Sequence, residues 1–237
     1  MSTFIIISAT IGYMAESIFG FGGSVITYLI LTQQMSPKEV VTMLPVFALV
    51  GSLFVLLSDY KSAKWALIGK ISLISMPTLI LGTFFLDSLP ETTLNLFILV
   101  IILIYGVNLI IGKNPSVPDK LRYPLYALAG FIIGATSLGI FFVPIIGSLF
   151  DDQRSFRASL ALLWVITGIL RVLSYFFSGV LSVSAIKIAT LASPFLLVGI
   201  IIGYLIHRII PKNHYKKYVG AAIIFASLIN IIKILFS

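Results

Sequence analysis

Eight apolar runs fill most of this chain: Phe4 to Thr32, Val40 to Leu57, Trp65 to Leu86, Leu94 to Ile111, Leu125 to Phe150, Leu160 to Phe177, Val183 to Ile206 and Val219 to Phe236. Each is about as long as a bilayer-spanning helix or longer. The longest polar stretches, Gly112 to Tyr123 and Pro211 to Lys217, are too short to fold alone. With 59% hydrophobic and 10% charged residues, the chain reads as an all-α polytopic membrane protein. The first run follows Met1-Ser2-Thr3 without a basic start or a cleavage site, so it is expected to be retained. Cysteine is absent, which excludes disulfides and thiolate metal sites, and neither cofactor nor metal is expected. The net charge of +8 sits in short loops, where it signals topology and not nucleic-acid binding.

Two runs are too long for one crossing. As a straight helix, Phe4 to Thr32 measures about 43 Å at 1.5 Å per residue, against a hydrocarbon core of roughly 30 Å. Glu16-Ser17-Ile18-Phe19-Gly20-Phe21-Gly22-Gly23-Ser24 interrupts it near the middle, and its glycines predict a break between two half-helices. Freed backbone groups in lipid cost several kcal/mol each unless they face protein, water or ligand, so a break marks a cavity. The fifth run has its own soft centre, Gly134-Ala135-Thr136-Ser137-Leu138-Gly139. Pro144 follows in what reads as the first turn of a new half-helix.

The halves resemble each other. Gly12 pairs with Gly130 at an offset of 118, Ser75-Met76-Pro77 with Ala192-Ser193-Pro194 at 117, Pro90 with Pro211 at 121 and Asn108 with Asn230 at 122. This predicts a tandem duplication: a first repeat over 1–112, a cytoplasmic linker over 113–123 and a second repeat over 124–237. Loop charges then choose the topology. If all eight runs cross, the Lys and Arg residues outside Arg171 divide eight to seven; if runs one and five are re-entrant hairpins, they divide twelve to three. The second split is the asymmetry of cytoplasmic loops. Each half is therefore expected to be a broken, re-entrant helical hairpin plus three transmembrane helices. The halves form inverted repeats with both termini outside. Eight kinked crossings in parallel repeats is the alternative. Tyr60, Trp65, Tyr123, Tyr215 and Tyr218 sit at boundaries under either topology.

In the hairpin topology the two tips meet near the midplane, and each returning half-helix presents its unpaired N–H groups there. Two such N-termini make an anion site without a basic side chain. Gly20, Gly22, Gly23 and Ser24 on one tip and Thr136, Ser137 and Gly139 on the other are the candidate residues, the hydroxyls being extra donors. Gly12 and Gly130 are read as packing glycines. Glu16, one turn before the break, fits proton coupling, a salt bridge or a counter-ion role. Arg171 fits a fixed charge for an anion or a partner for Glu16; a snorkelling side chain is the plainer reading. Pro45, Pro77 and Pro194 fit helix kinks, and His207 and His214 flank a basic loop. No His-Glu-x-x-His, Gly-x-Ser-x-Gly or P-loop motif is present, so no enzyme is expected.

These features resemble the sulfite exporter TauE/SafE family of prokaryotic membrane transporters. Ala15-Glu16-Ser17-Ile18-Phe19-Gly20-Phe21-Gly22-Gly23 is similar to the family's first glycine motif. Val41-Thr42-Met43 stands where an Ala-Thr-Ser-like triplet is usual, and Asp59-Tyr60 to Trp65 resembles the short basic loop before the third helix. The second half departs. Thr136-Ser137-Leu138-Gly139-Ile140-Phe141-Phe142-Val143-Pro144 keeps one glycine and the proline of a Gly-x-Gly-Gly-Gly repeat, and Phe141 and Phe142 are expected to narrow one wall. The resemblance implies an inner-membrane, secondary-type transporter of sulfite, a related sulfur oxyanion or an organosulfonate. Phe21 and Leu138 would complete the anion-binding tips, Glu16 and Arg171 would couple or gate, and a proton or cation would be the coupling partner. An anion channel, or a membrane subunit of a larger complex, is the alternative.

Overall fold

The computed structural model describes residues 2–19, 22–112, 117–207 and 215–236. Among them run ten helices: α1 (Ser2–Phe19), α2 (Gly23–Leu31), α3 (Pro37–Asp59), α4 (Trp65–Ser88), α5 (Glu91–Ile111), α6 (Asp119–Thr136), α7 (Phe142–Gly147), α8 (Gln153–Phe177), α9 (Val183–His207) and α10 (Tyr215–Phe236). Six of them, α3, α4, α5, α8, α9 and α10, are long and apolar enough to cross a membrane. They coincide with the six runs expected to cross, and the two long runs are the ones that split.

Local chemistry sets the ends. Ser36 closes a capping box with Glu39 ahead of α3, its Oγ accepting from the Glu39 N–H at 3.3 Å, and Pro37 occupies the first helical position. Gly112 ends α5 in the left-handed region at φ 68°. Asp152 caps α8 by accepting from the Arg154 and Ser155 N–H groups, which hold its carboxyl below the usual carboxylate range. α6 begins at Asp119 and so takes in residues 119–123 of the stretch read as linker.

The first long run is a hairpin. Gly12 lies against Thr27 and the Gly23 carbonyl, while Gly23 lies against Glu16, so α1 and α2 run antiparallel in close contact. A Cβ at Gly12 would collide with Thr27, and it is the absence of one that permits the approach. The second run also turns back. Lys70 of α4 donates to Tyr123 Oη near the start of α6, and Lys64 at the start of α4 donates to the Leu149 carbonyl just beyond α7. Both arms of this hairpin therefore end beside the N-terminal part of α4. Between them Gly139–Phe141 forms one 3-10 turn, and Pro144 falls within the first turn of α7.

Each hairpin packs on the other half. α6 runs parallel to α4, with Gly130 against Ser75 and Gly134 against Leu79; α1 runs parallel to α9, with Gly199 against Thr10 and Gly203 against Met14. Equivalent crossing helices pair antiparallel. α3 meets α8 through Asp59 with Arg154 and Leu49 with Gly168, and α5 meets α10 through Gly106 with Gly220 and Ile224. Two buried apolar clusters result. The larger joins α1, α2, α3, α5 and α9, and the smaller joins α4, α6, α7 and α8.

Candidate functional site

Gly22 is the residue that turns the first tip. It sits at φ 88°, a left-handed conformation that L side chains rarely adopt, and it is the N-cap of α2. The first N–H groups of α2 therefore point into the protein interior with no helical partner. The Glu16 carboxyl accepts from the Gly23 N–H and packs against Gly23, so part of this N-terminus is already engaged by a side chain of the protein itself. A Cβ at Gly23 would collide with Glu16.

The second tip turns on Ser137 at φ 58°, the one non-glycine among the described residues with a positive φ. Its side chain is fully engaged: Oγ donates to the Val41 carbonyl at 2.7 Å and lies 3.1 Å from Tyr175 Oη, which itself donates to the Gly134 carbonyl at 2.5 Å. Thr136 Oγ1 donates to the Ile132 carbonyl and accepts from the Leu138 N–H. Of the three hydroxyls that sequence reasoning offered as donors, Thr136 thus holds the tip's own backbone and Ser137 ties the tip to α3. Thr136 and Leu138 are buried behind the tip. The groups this tip leaves open are the N–H groups at Gly139 and the residues after it.

Arg171 reaches the same place from α8. It is 1% exposed and does not snorkel; Nη1 donates to the Ser137 carbonyl at 3.1 Å and Nε to the Thr167 carbonyl at 3.2 Å. It makes no ion pair with Glu16: the ion pairs among the described residues are Arg122 with Asp119 and Arg154 with Asp59. Ser137's carbonyl, at the frayed end of α6, is the kind of orphan acceptor a guanidinium satisfies.

Between the tips lies a chamber of about 40 Å³. Glu16, Gly22 and Ser24 line it from the first hairpin, Ser137, Gly139, Ile140 and Val143 from the second, and Trp164 and Arg171 from α8. Gly20 and Phe21 lie outside the described residues. Phe141 and Phe142 do not line the chamber. Phe142 stands behind Trp164, the rings 6.0 Å apart and edge-on, and the apolar wall is Ile140, Val143 and the Trp164 indole. A Cβ at Gly139 would collide with that indole.

A second and larger cavity, about 440 Å³, abuts the first and shares Glu16, Leu160 and Trp164 with it. It runs between α1, α3, α8 and α9 from Tyr13 and Ser17 out to Asp59 and Arg157. Tyr13 is 3% exposed, and its Oη lies beside Ser24 and Glu16. Sequence reasoning missed Tyr13, Arg157 and Trp164. A signal was present for the last two: Arg157, Leu160, Trp164, Gly168 and Arg171 recur every three or four residues and so share one face of α8. His207's side chain and His214 lie outside the described residues.

The sequence model of a known family, Sulfite exporter TauE/SafE, matches residues 4–229. Searches of curated proteins and of solved structures found no match. The family match takes in both hairpins and every residue around the two cavities, and the chain belongs to the sulfite exporter TauE/SafE family, membrane transporters of sulfur anions such as sulfite.

Proposed function

We propose that the protein is a secondary-type transporter that carries sulfite, a related sulfur oxyanion or the sulfonate head of an organic anion through the chamber between the two tips. One observation carries the reading: two hairpins from different halves bring their turns, the N-terminus of α2 and the 3-10 turn that leads into α7, to one cavity. Its volume is about three times the ~10–15 Å³ that seats one water. That suits an oxyanion with a few oxygens, and a longer organic body would extend into the adjoining cavity.

The substrate is held by backbone N–H groups of the tip residues Gly20, Phe21, Gly22, Gly23 and Ser24 on one side and Thr136, Ser137, Leu138 and Gly139 on the other. Arg171 braces the second tip and supplies the local positive charge. Glu16 competes with the substrate for the α2 N-terminus, and a proton on Glu16 removes the competitor; this links one proton to one anion. The antiparallel pairing of α3 with α8 and of α5 with α10 supports inverted repeats over 1–112 and 124–237, the usual plan of carriers that expose a midplane site alternately to each side. The large cavity on the Asp59 and Arg157 side corresponds to the cytoplasmic opening of a prokaryotic inner-membrane protein with both termini outside.

Sulfite flux into proteoliposomes tests the reading. A side chain at position 22 would project into open space at the tip, so Gly22→Leu should insert normally and lose flux at least ten-fold. Asn tolerates the left-handed region, so Gly22→Asn should keep a measurable fraction. Wild-type flux in Gly22→Leu would remove the tip from the substrate path. Flux that saturates and exchanges labelled substrate marks a carrier; flux that does neither marks a channel.

A further inference from the structure

Arg157 is a charged residue of the large cavity that the tip site leaves unused. It lines the mouth, half-buried, and among the described residues it has neither an ion-pair nor a hydrogen-bond partner. Its neighbours differ. Arg154, one turn earlier on α8, is bound to Asp59 through Nε at 2.6 Å, so the only carboxylate at the mouth is already neutralised. Ser155 is tied to the Ser62 carbonyl at 2.8 Å and Ser58 to the Phe54 carbonyl at 2.9 Å. Among the described residues that line the cavity, the free positive charge is therefore that of Arg157.

The walls beyond it are largely apolar, from Phe54, Val55, Leu160, Ala161 and Ile200, with Ser52, Ser17 and Glu16 among them. Low-dielectric walls focus the field of a charge at the mouth along the cavity and concentrate counter-ions there. The α8 face then reads as a path: Arg157 at the mouth, Trp164 seven residues on where the two cavities adjoin, and Arg171 seven residues further in the inner chamber. At 1.5 Å per residue each interval is about 10 Å. An anion moving from Arg157 toward the tips thus passes the junction lined by Trp164, Leu160 and Glu16.

We propose that Arg157 forms a second, outer anion subsite in the large cavity, which captures a small oxyanion or the sulfonate group of an organic anion before Trp164 admits it to the inner chamber. The assignment of the cargo rests on the transport reading above; the subsite itself does not. It adds to the tip site a capture step whose strength is set by one side chain.

Trp164 is a built-in reporter, since the chain has only two tryptophans and Trp65→Phe removes the other, an exposed residue that lines neither cavity. In purified Trp65→Phe protein, quenching of the remaining fluorescence is measured with iodide, an anion, and with acrylamide, which is neutral. Arg157→Gln should lower the iodide quenching constant about two-fold or more, as expected for removing one charge about 10 Å away, and leave acrylamide quenching unchanged. Arg157→Lys should restore the iodide value. Unchanged iodide quenching in Arg157→Gln would overturn the proposal. So would an equal change for both quenchers that Lys fails to restore, which would mark Arg157 as a packing residue. In proteoliposomes the same Gln variant should raise the KM for sulfite and leave kcat near wild type. If wild-type protein moves no sulfite while the iodide difference persists, the cargo reading fails and the subsite stands.

Discussion

Glu16 shows how much a single side chain can decide in lipid. Its carboxylate lies on the N-terminus of the half-helix that follows it and borders both cavities. On the proposed reading a carboxylate bound there mimics the anionic substrate, and an amide does not. Glu16→Gln should therefore still transport, with flux that no longer changes when a proton gradient is imposed across the vesicle. Gradient dependence equal to wild type would take coupling away from Glu16. Glu16 was legible as a functional candidate because an ionisable group inside an apolar run is costly. Ser137 was legible only as a polar residue. Its left-handed backbone costs roughly 1–2 kcal/mol in a non-glycine residue. That conformation is sustained by Val41, Tyr175 and Arg171, all distant in sequence, and no local signal announces them. The fate of Arg171 was likewise open from sequence, because the acceptor that buries it exists only once α6 has ended beside α8.

At the scale of elements, glycine placement did most of the specifying. The Gly-x-Gly-Gly stretch marked the first break because three residues without side chains cannot hold a helix against a turn. The second break was weaker in sequence, with one glycine at its centre, yet the chain turns there as well. Glycines elsewhere are spacers: Gly130 and Gly134 let α6 rest on the α4 backbone, and an added Cβ at either would collide with main-chain atoms that have nowhere to go. Gly130→Leu should accordingly cost about 1–3 kcal/mol or more through overpacking. Gly69→Ala, on the same α4 with nothing near the added methyl, should be silent. Thermal unfolding of the two variants in detergent checks the contrast, and equal melting temperatures would contradict the packing described. What the sequence concealed at this scale was pairing. That each hairpin lies on the second crossing helix of the other half follows from long-range contacts, which apolar periodicity does not encode.

For the whole molecule, the proposed topology rests on the loop charges, the six helices long enough to cross and the two hairpins. The basic residues divide twelve to three, the asymmetry of cytoplasmic loops, only if the hairpins return to the side they entered. The α1–α2 contact and the placement of both arms of the second hairpin beside α4 are what such hairpins look like. The account stands on the two tips entering from opposite faces, since only then do the two turns meet at a midplane site. Single cysteines, in a chain that has none of its own, test this most directly. Placed at Gln34, Ser62, Ser116 and Gln153, they would be challenged from outside intact cells with a membrane-impermeant maleimide. The account predicts that Gln34→Cys alone is labelled. Labelling of Gln34→Cys and Gln153→Cys together, with the other two protected, would mean that both long runs cross the membrane, and the shared anion site would lose its foundation.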